Sequence, residues 1–156
     1  MNMKSIKFII SAIAVMACFI LSSCSGNDSP EVNKAVVGEW HLTSWSGEQP
    51  DGFDVYLELK ADGSFNIWQH LDSYTYEHLS GTFSAGSDFI SGCYDDGECW
   101  NSGYNFTVST DGSTLTLTSD AGSKLVSVYT RAEIPSEVRN SPVSKAGAKA
   151  SVSRIL

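Results

Sequence analysis

DVYLELK, residues 54–60, alternates apolar and polar side chains at every second position. On an extended chain, Val55, Leu57 and Leu59 fall on one face, and the polar side chains fall on the other. This alternation of period two predicts a β-strand that buries one face and exposes the other to solvent.

The same pattern recurs along the chain that follows. YNFTVS at 104–109 and TLTLT at 114–118 alternate just as clearly. Weaker alternation predicts five further strands, over residues 36–46, 64–71, 74–84, 89–94 and 124–131. Eight strands leave roughly 12 residues for each strand and its turn, too few for the long crossovers that parallel strands require. Consecutive strands should therefore pair antiparallel.

Short turns support this topology. Residues 61–63, 95–97 and 110–112 each have the form x-Asp-Gly between alternating segments, which suits a three-residue hairpin loop with glycine in the left-handed position. A meander of eight strands either closes into a barrel or splits into two packed sheets. We favour the barrel, because a Greek-key sandwich usually needs longer connections. The predicted fold is an all-β, eight-stranded antiparallel up-and-down barrel over residues 34–134.

The beginning of the chain has the layout of an export signal. Lys4 and Lys7 precede an apolar run over residues 8–21, and small residues precede Cys24. At about 14 residues, the run is shorter than the roughly 20 that a permanent transmembrane helix needs. The sequence Leu-Ser-Ser-Cys that ends at Cys24 resembles the lipobox of bacterial lipoproteins. The resemblance implies that residues 1–23 are removed and that a lipid on Cys24 anchors the protein to the outer membrane. The sequence does not determine whether the protein faces the periplasm or the cell surface. An ordinary signal peptide with an incidental cysteine is the alternative.

Polar segments flank the predicted barrel. Residues 24–33 are rich in turn-forming side chains and indicate a tether. Residues 135–156 are small, polar and partly basic, so we expect a mostly disordered tail, although Pro135 could start a short helix over 134–139. Without residues 1–23 the chain keeps eight basic and 18 acidic side chains, a formal charge of −10. Nucleic acid is therefore an unsuitable partner, since phosphate binding needs a basic face.

The first and last strands carry residues typical of one family. Gly38-Glu39-Trp40 forms a G-x-W motif at the start of the domain, and Arg131 ends the last strand. With eight strands and an export signal, these residues resemble the lipocalin-like domain of small lipoproteins of the Bacteroidetes type. The resemblance implies that Trp40 closes the barrel floor and that Arg131 packs over its indole face. The domain is shorter than a typical lipocalin, so its cavity is expected to be small or filled by side chains.

The stretch CYDDGECW, residues 93–100, brings together two cysteines and three carboxylates. If its Asp-Asp-Gly forms a three-residue loop, Tyr94 pairs with Glu98, and Cys93 lies opposite Cys99. Cα atoms at such positions approach to about 4.5 Å, a separation that a disulfide accepts, and export supplies an oxidising compartment. We therefore predict a Cys93–Cys99 disulfide. Calcium binding by the acidic side chains is a minority alternative, because they resemble no complete set of oxygen ligands.

Alternate turns of a meander lie at opposite ends of the barrel. The loops at residues 47–52, 72–73, 95–97 and 119–122 should therefore share one mouth, directed away from the membrane. This mouth would be acidic, because these loops and their flanks carry Glu48, Asp51, Asp72, Asp95, Asp96, Glu98 and Asp120. The candidate rim residues are Trp68, Asp95, Asp96, Glu98 and Trp100.

The apolar faces of the strands would line the interior. The candidate lining residues are Val55, Leu57, Leu59, Phe65, Ile67, Phe83, Tyr104, Phe106, Val108, Leu115 and Leu117. We expect a small, at least partly apolar ligand that enters through the acidic mouth. The alternative is a filled barrel that meets a protein or glycan through its rim, because filling and lining look the same in a sequence. The sequence shows no arrangement of side chains that indicates an enzyme, a metal site or a cofactor.

Overall fold

The computed structural model describes residues 31–71, 75–142 and 153–156. Eight antiparallel strands follow one another around a closed barrel, so the predicted all-β up-and-down fold is confirmed. The strands are β1 (Gly38–Trp45), β2 (Asp54–Leu59), β3 (Ser64–His70), β4 (Glu77–Ala85), β5 (Phe89–Tyr94), β6 (Tyr104–Val108), β7 (Thr114–Ser119) and β8 (Val126–Arg131), followed by a one-turn helix, α1 (Ser136–Arg139). β1 pairs with both β2 and β8, which closes the barrel without a free edge.

The alternation in β2 produces the buried face that the sequence predicts. Val55, Leu57 and Leu59 are buried, and the residues between them are half-buried. Leu57 lies opposite Trp40 of β1 on one side and Ile67 of β3 on the other, so the apolar faces of three strands meet inside the barrel. Each fully buried aliphatic side chain contributes about 1.5–3 kcal/mol of transfer free energy, which fixes the register of these strands.

The Asp-Gly turns close three hairpins as predicted. In the loop after β2, the Asp62 carboxylate accepts hydrogen bonds from both the backbone N–H and the hydroxyl of Ser64. The loop after β6 repeats this arrangement around Asp111, whose pKa falls to about 2 because the hydroxyl of Ser109 and both the backbone and the hydroxyl of Ser113 donate to it. These side-chain bonds hold the short loops in one conformation.

The loops divide between two ends of the barrel. β1, β3, β5 and β7 all end at the same end of the barrel, which we call the mouth. The other end, the floor, receives the chain before β1. There Val32 forms a parallel bridge to Ala85, and Asn33 donates its N–H to the carbonyl of Ala85. Residues 31–33, which we had assigned to the tether, are therefore part of the folded domain.

Helix α1 covers the outer wall of the barrel. Ile134 and Val138 bury the indole ring of Trp68, with Tyr56 and Tyr76 at the edge of this cluster. Trp68 was expected at the rim, but it lies on the side wall and is only 4% exposed. The alternation of β3 predicts that Trp68 points outward. It does not predict that Trp68 is buried, because the helix that covers it comes from a distant part of the chain.

Two parts of the predicted disordered tail, residues 135–142 and 153–156, pack against the barrel, and residues 143–152 lie outside the described residues. Residues 135–142 run along the outer wall, and residues 153–156 lie in the mouth, with Ile155 and Leu156 buried. Within the described ranges, no helix is both long and apolar enough to cross a membrane. The predicted signal segment 1–23 and the predicted lipid anchor Cys24 lie outside the described residues.

Candidate binding site at the barrel mouth

The interior of the barrel changes character between floor and mouth. The predicted lining residues face inward and are buried, except for Val108, which is half-buried against the core at the floor end. The mouth half adds a layer of buried side chains that carry polar groups: Gln69, Tyr94, Tyr104, Ser119 and Ser127. Tyr129, from further down β8, brings another buried polar group to the interior. Such a layer is costly inside a protein unless its polar groups find hydrogen-bond partners.

Tyr129 shows this cost most clearly. Its side chain is fully buried between Leu42 of β1 and Leu115 of β7, and its hydroxyl forms no well-aligned hydrogen bond within the described residues. Burial raises the pKa of Tyr129, a change that the neighbouring Ser127 side chain only partly offsets. A buried unsatisfied hydroxyl costs about 1–3 kcal/mol, so this group is available to a polar atom inside the barrel.

Residues 153–156 occupy the mouth. The Leu156 side chain is 1% exposed, and Ile155 is 8% exposed. Both belong to the same buried cluster as the inward-facing residues of the strands, together with the half-buried Trp45, Phe53 and Leu71 around the mouth. We call residues 153–156 the mouth segment.

Buried side chains of the barrel bind the backbone of the mouth segment. The Gln69 amide donates from Nε2 to the carbonyl of Ser153 and accepts at Oε1 from the N–H of Ile155, over 3.3 Å. The Tyr94 hydroxyl donates to the main-chain oxygen of Leu156 over 3.1 Å, and the Asn101 amide donates to the same oxygen over 3.4 Å. Peptide groups of the segment therefore satisfy part of the polar layer.

The acidic rim holds the one basic side chain of the mouth segment. Arg154 pairs with Asp96 and with Glu98, the latter over 3.0 Å, and its guanidinium lies 4.2 Å from the centre of the Tyr94 ring. The hydrogen bonds from Arg154 lower the pKa of Asp96. The same pairing raises the pKa of Arg154. Asp95, the other carboxylate of this turn, accepts instead from the hydroxyl of Ser80.

The predicted Cys93–Cys99 disulfide is present and shapes this rim. The Cα atoms of the two cysteines are 3.8 Å apart, and the Tyr94 N–H donates to the Glu98 carbonyl over 2.7 Å, which is the pairing that the sequence predicts. The bridge therefore holds the hairpin that presents Tyr94 inward and the two carboxylates, Asp96 and Glu98, outward to Arg154.

Trp100, a predicted rim candidate, follows the disulfide and is buried. β5 and β6 pair only at Phe89–Asn105 and Ile90–Tyr104, and beyond these pairs the two strands diverge. The Trp100 indole closes this seam at 6% exposure, with its ring 5.3 Å from that of Phe65. Outside the seam lies an open groove of about 590 Å³, lined by Thr82, Phe83, Ser84, Ser91, Gly92, Cys93, Cys99, Trp100, Ser102 and Gly103.

The floor contains the arrangement that the family resemblance implies. The Arg131 guanidinium lies 4.1 Å from the centre of the Trp40 ring, and the Trp40 Nε1 donates to the carbonyl of Val36 over 2.9 Å. A Cβ at Gly38 would overlap the Arg131 guanidinium, so the glycine of the G-x-W motif leaves room for this contact. The floor is thus closed by side chains, and the mouth segment lies at the opposite end.

The histidines lie on the outer wall. His41 Nε2 is 2.6 Å from Asp54 Oδ1, and the His41 ring stacks on Tyr56. The ring of His78 stacks on Trp68 beneath α1. Among the described residues, no group of three or more His, Cys, Asp or Glu side chains is arranged to hold a metal ion. The remaining predicted acidic residues of the mouth, Glu48, Asp51 and Asp120, are exposed, and Asp72 lies outside the described residues.

Sequence reasoning predicted Asp96 and Glu98 at the rim but missed the groups that bind the backbone of the mouth segment. Gln69 continues the inward-facing series of Phe65 and Ile67, so a polar side chain at its position was a readable signal of a site. The pair Ile155-Leu156 after a polar stretch was a second signal. Comparison of the chain with protein-family models finds no match, and comparison with curated proteins finds no significant match. Function is therefore inferred from the geometry of the mouth.

Proposed function

We propose that the protein is a cell-envelope lipoprotein with a lipocalin-like barrel that binds a small, partly apolar ligand at its mouth. The ligand would take the place that Ile155 and Leu156 occupy in this structure. The observation that carries the proposal is the mouth itself, where two aliphatic side chains are buried beside the polar groups of Gln69, Tyr94 and Asn101. Binding sites for small molecules typically combine mostly apolar walls with a few such polar groups.

Two buried donors support a ligand with at least one polar atom. The Tyr129 hydroxyl and the Trp100 Nε1 have no hydrogen-bond partner within the described residues. Both side chains belong to the buried cluster that includes Ile155 and Leu156. A ligand with an oxygen acceptor among its apolar groups would satisfy donors that the mouth segment leaves unpaired.

The proposed attachment rests on the sequence before the barrel and on the position of the floor. The chain reaches β1 at the floor, beside Trp40, whereas the acidic loops lie at the mouth. A lipid on Cys24 would therefore hold the floor towards the membrane and leave the mouth directed away from it. Only six residues, 25–30, separate Cys24 from the folded domain, a reach of roughly 25 Å at most.

The alternative function, a filled barrel that binds a protein or glycan through exposed aromatic side chains, has lost its main support. It depended on Trp68 and Trp100 at the rim. Trp68 is covered by α1, and Trp100 closes the seam between β5 and β6. The rim carboxylates Asp96 and Glu98 are engaged with Arg154.

Native mass spectrometry tests the proposed function directly. The chain from residue 25 onward is secreted to the periplasm of a host cell, purified without reductant and compared with Ser127→Leu, which adds apolar bulk to the interior, and with Thr130→Leu on the exposed face of β8. We expect a retained small molecule on the unaltered chain and on Thr130→Leu but not on Ser127→Leu. Equal retention by all three would place the ligand outside the mouth. If the chain retains nothing, and takes up neither fatty acids nor peptides when these are added, the proposal is wrong.

A further inference from the structure

We infer that the mouth is a peptide-binding site for an extended segment of the pattern basic–aliphatic–aliphatic, and that Arg154-Ile155-Leu156 is its intramolecular occupant. The inference rests on the proposed function, because it assigns a ligand class to the same mouth. Three features of the mouth segment support it: how its backbone is bound, how its side chains are buried, and how its charge is matched.

Gln69 binds backbone in the way that a neighbouring strand does. Its side chain is fully buried, and its amide uses one donor and one acceptor on the carbonyl of Ser153 and the N–H of Ile155. These two groups lie two residues apart, the spacing at which an extended peptide presents groups to one side. A fatty acid or a sterol offers a single polar group instead of a C=O and an N–H at this spacing, so it would satisfy only part of the Gln69 amide in the interior.

The main-chain oxygen of Leu156 is bound from two sides. Tyr94 and Asn101 both donate to the oxygen of Leu156. Burial raises the pKa of Tyr94, so its hydroxyl remains protonated and serves as a donor throughout the neutral range. Together with Gln69, the mouth therefore presents the alternating acceptor and donors that a peptide backbone requires.

The side chains of the segment meet environments of different chemistry. Ile155 and Leu156 are buried in the apolar core of the barrel, whereas Arg154 lies at the rim between Asp96 and Glu98 and over the Tyr94 ring. An aliphatic residue in place of Arg154 would leave the two carboxylates without their cationic partner. An acidic residue in place of Ile155 or Leu156 would bury an unpaired charge. The pattern basic–aliphatic–aliphatic follows from these two requirements.

A peptide from another molecule must compete with this occupant. A tethered segment has an effective concentration that reaches the millimolar range for short linkers, so a free peptide of equal affinity binds the unaltered chain only weakly. Weakening the occupant at Arg154, Ile155 and Leu156 should therefore expose the site. The altered chain keeps its full length and every residue of the barrel.

The test uses the chain from residue 25 onward with Arg154→Ser, Ile155→Asp and Leu156→Asp, titrated by calorimetry with three probes. These are the peptide SVSRIL, the peptide SVSRDD and lauric acid. We expect SVSRIL to bind at least about tenfold more tightly than SVSRDD. Adding Gln69→Leu to this chain should weaken SVSRIL binding by at least about tenfold, whereas Thr107→Leu, on the exposed face of β6, should not change it.

The outcomes separate this inference from the proposed function. Binding of lauric acid without SVSRIL overturns the peptide assignment and leaves a small-molecule site in place. If a chain with intact β-sheet circular dichroism binds neither SVSRIL nor lauric acid, both the peptide assignment and the proposed function are overturned. If the triple variant does not fold, Arg154→Glu replaces it. This half-buried position at the rim faces two carboxylates, so the charge reversal repels the segment from the rim. If folded Arg154→Glu does not bind SVSRIL more tightly than the unaltered chain does, the inference is also overturned.

Discussion

The Gln69 side chain and the Ile155 backbone bind each other inside the barrel mouth, where the Ile155 N–H donates to the Gln69 Oε1 over 3.3 Å. Gln69 is fully buried and Ile155 nearly so. The two residues are 86 positions apart, so the contact joins β3 to a segment that follows all the strands. A buried amide in a barrel of this size is costly without a partner. The contact thus shows how the mouth segment satisfies a buried polar side chain of the barrel.

Acidification should release the mouth segment. Arg154 donates to Asp96 and lowers its pKa, so the folded state binds that proton less readily than the unfolded state does. The stabilisation from this pair is therefore present above the ordinary carboxyl pKa near 4 and is lost as pH falls through the lowered value. We expect Trp fluorescence to report a change below about pH 4 in the unaltered chain. The change should be absent from Arg154→Gln, and an identical response in both chains would show that the pair does not hold the segment.

Substitution of Gly38 should destabilise the floor. Gly38 has φ of 148°, and a Cβ there would overlap the Arg131 guanidinium that covers Trp40. We expect Gly38→Ala to lower the free energy of unfolding in urea by about 1–3 kcal/mol. Gly122→Ala is the matched control, because its Cβ would meet open space, and it should change stability by no more than about 0.5 kcal/mol. Equal stability of the two variants would contradict the role assigned to Gly38.

Loss of the disulfide should weaken the rim more than the barrel. The bridge closes a short loop of the chain, with its cysteines six positions apart, so the chain-entropy model gives a contribution of about 2 kcal/mol, at the low end for disulfides. Replacing both Cys93 and Cys99 by serine should lower the free energy of unfolding by about that amount. Hydrogen exchange should accelerate at the Tyr94 and Trp100 amides, whereas the amides of β2 should keep their relative protection. Unchanged hydrogen exchange at the Tyr94 and Trp100 amides would mean that backbone pairing alone holds the hairpin without the disulfide.

Removing the Tyr129 hydroxyl should separate stability from binding. The hydroxyl is buried without a well-aligned partner among the described residues, so Tyr129→Phe should leave the free energy of unfolding unchanged or raise it by about 1 kcal/mol. If the hydroxyl meets a ligand, the same variant should retain less of that ligand in native mass spectrometry. A marked loss of stability would show that the hydroxyl has a partner in solution.

The fold was predictable because its strands carry their pattern locally. The alternation in β2 and the Asp-Gly turns determine which side chains point inward and how neighbouring strands connect, and both are visible within a few residues. The Cys93–Cys99 disulfide was predictable for the same reason, since the hairpin register follows from one turn.

The contacts of the mouth were not predictable in this way, because they join distant parts of the chain. The outward position of Trp68 is readable from β3, but its cover comes from Ile134 and Val138. The composition of residues 135–156 indicates a polar tail, since small and polar side chains predominate. Two aliphatic residues at 155 and 156 are nevertheless enough to fill the mouth, because the barrel supplies the apolar walls and the hydrogen-bond partners.

Hydrogen exchange at the Ile155 amide tests the central claim most directly. In the unaltered chain at neutral pH, this amide is buried and bonded to Gln69, so it should exchange at least about tenfold more slowly than in the free peptide SVSRIL. An excess of unlabelled SVSRIL should speed the exchange by displacing the segment. Exchange at the free-peptide rate in the unaltered chain would contradict the account, because the mouth segment would then not occupy the barrel.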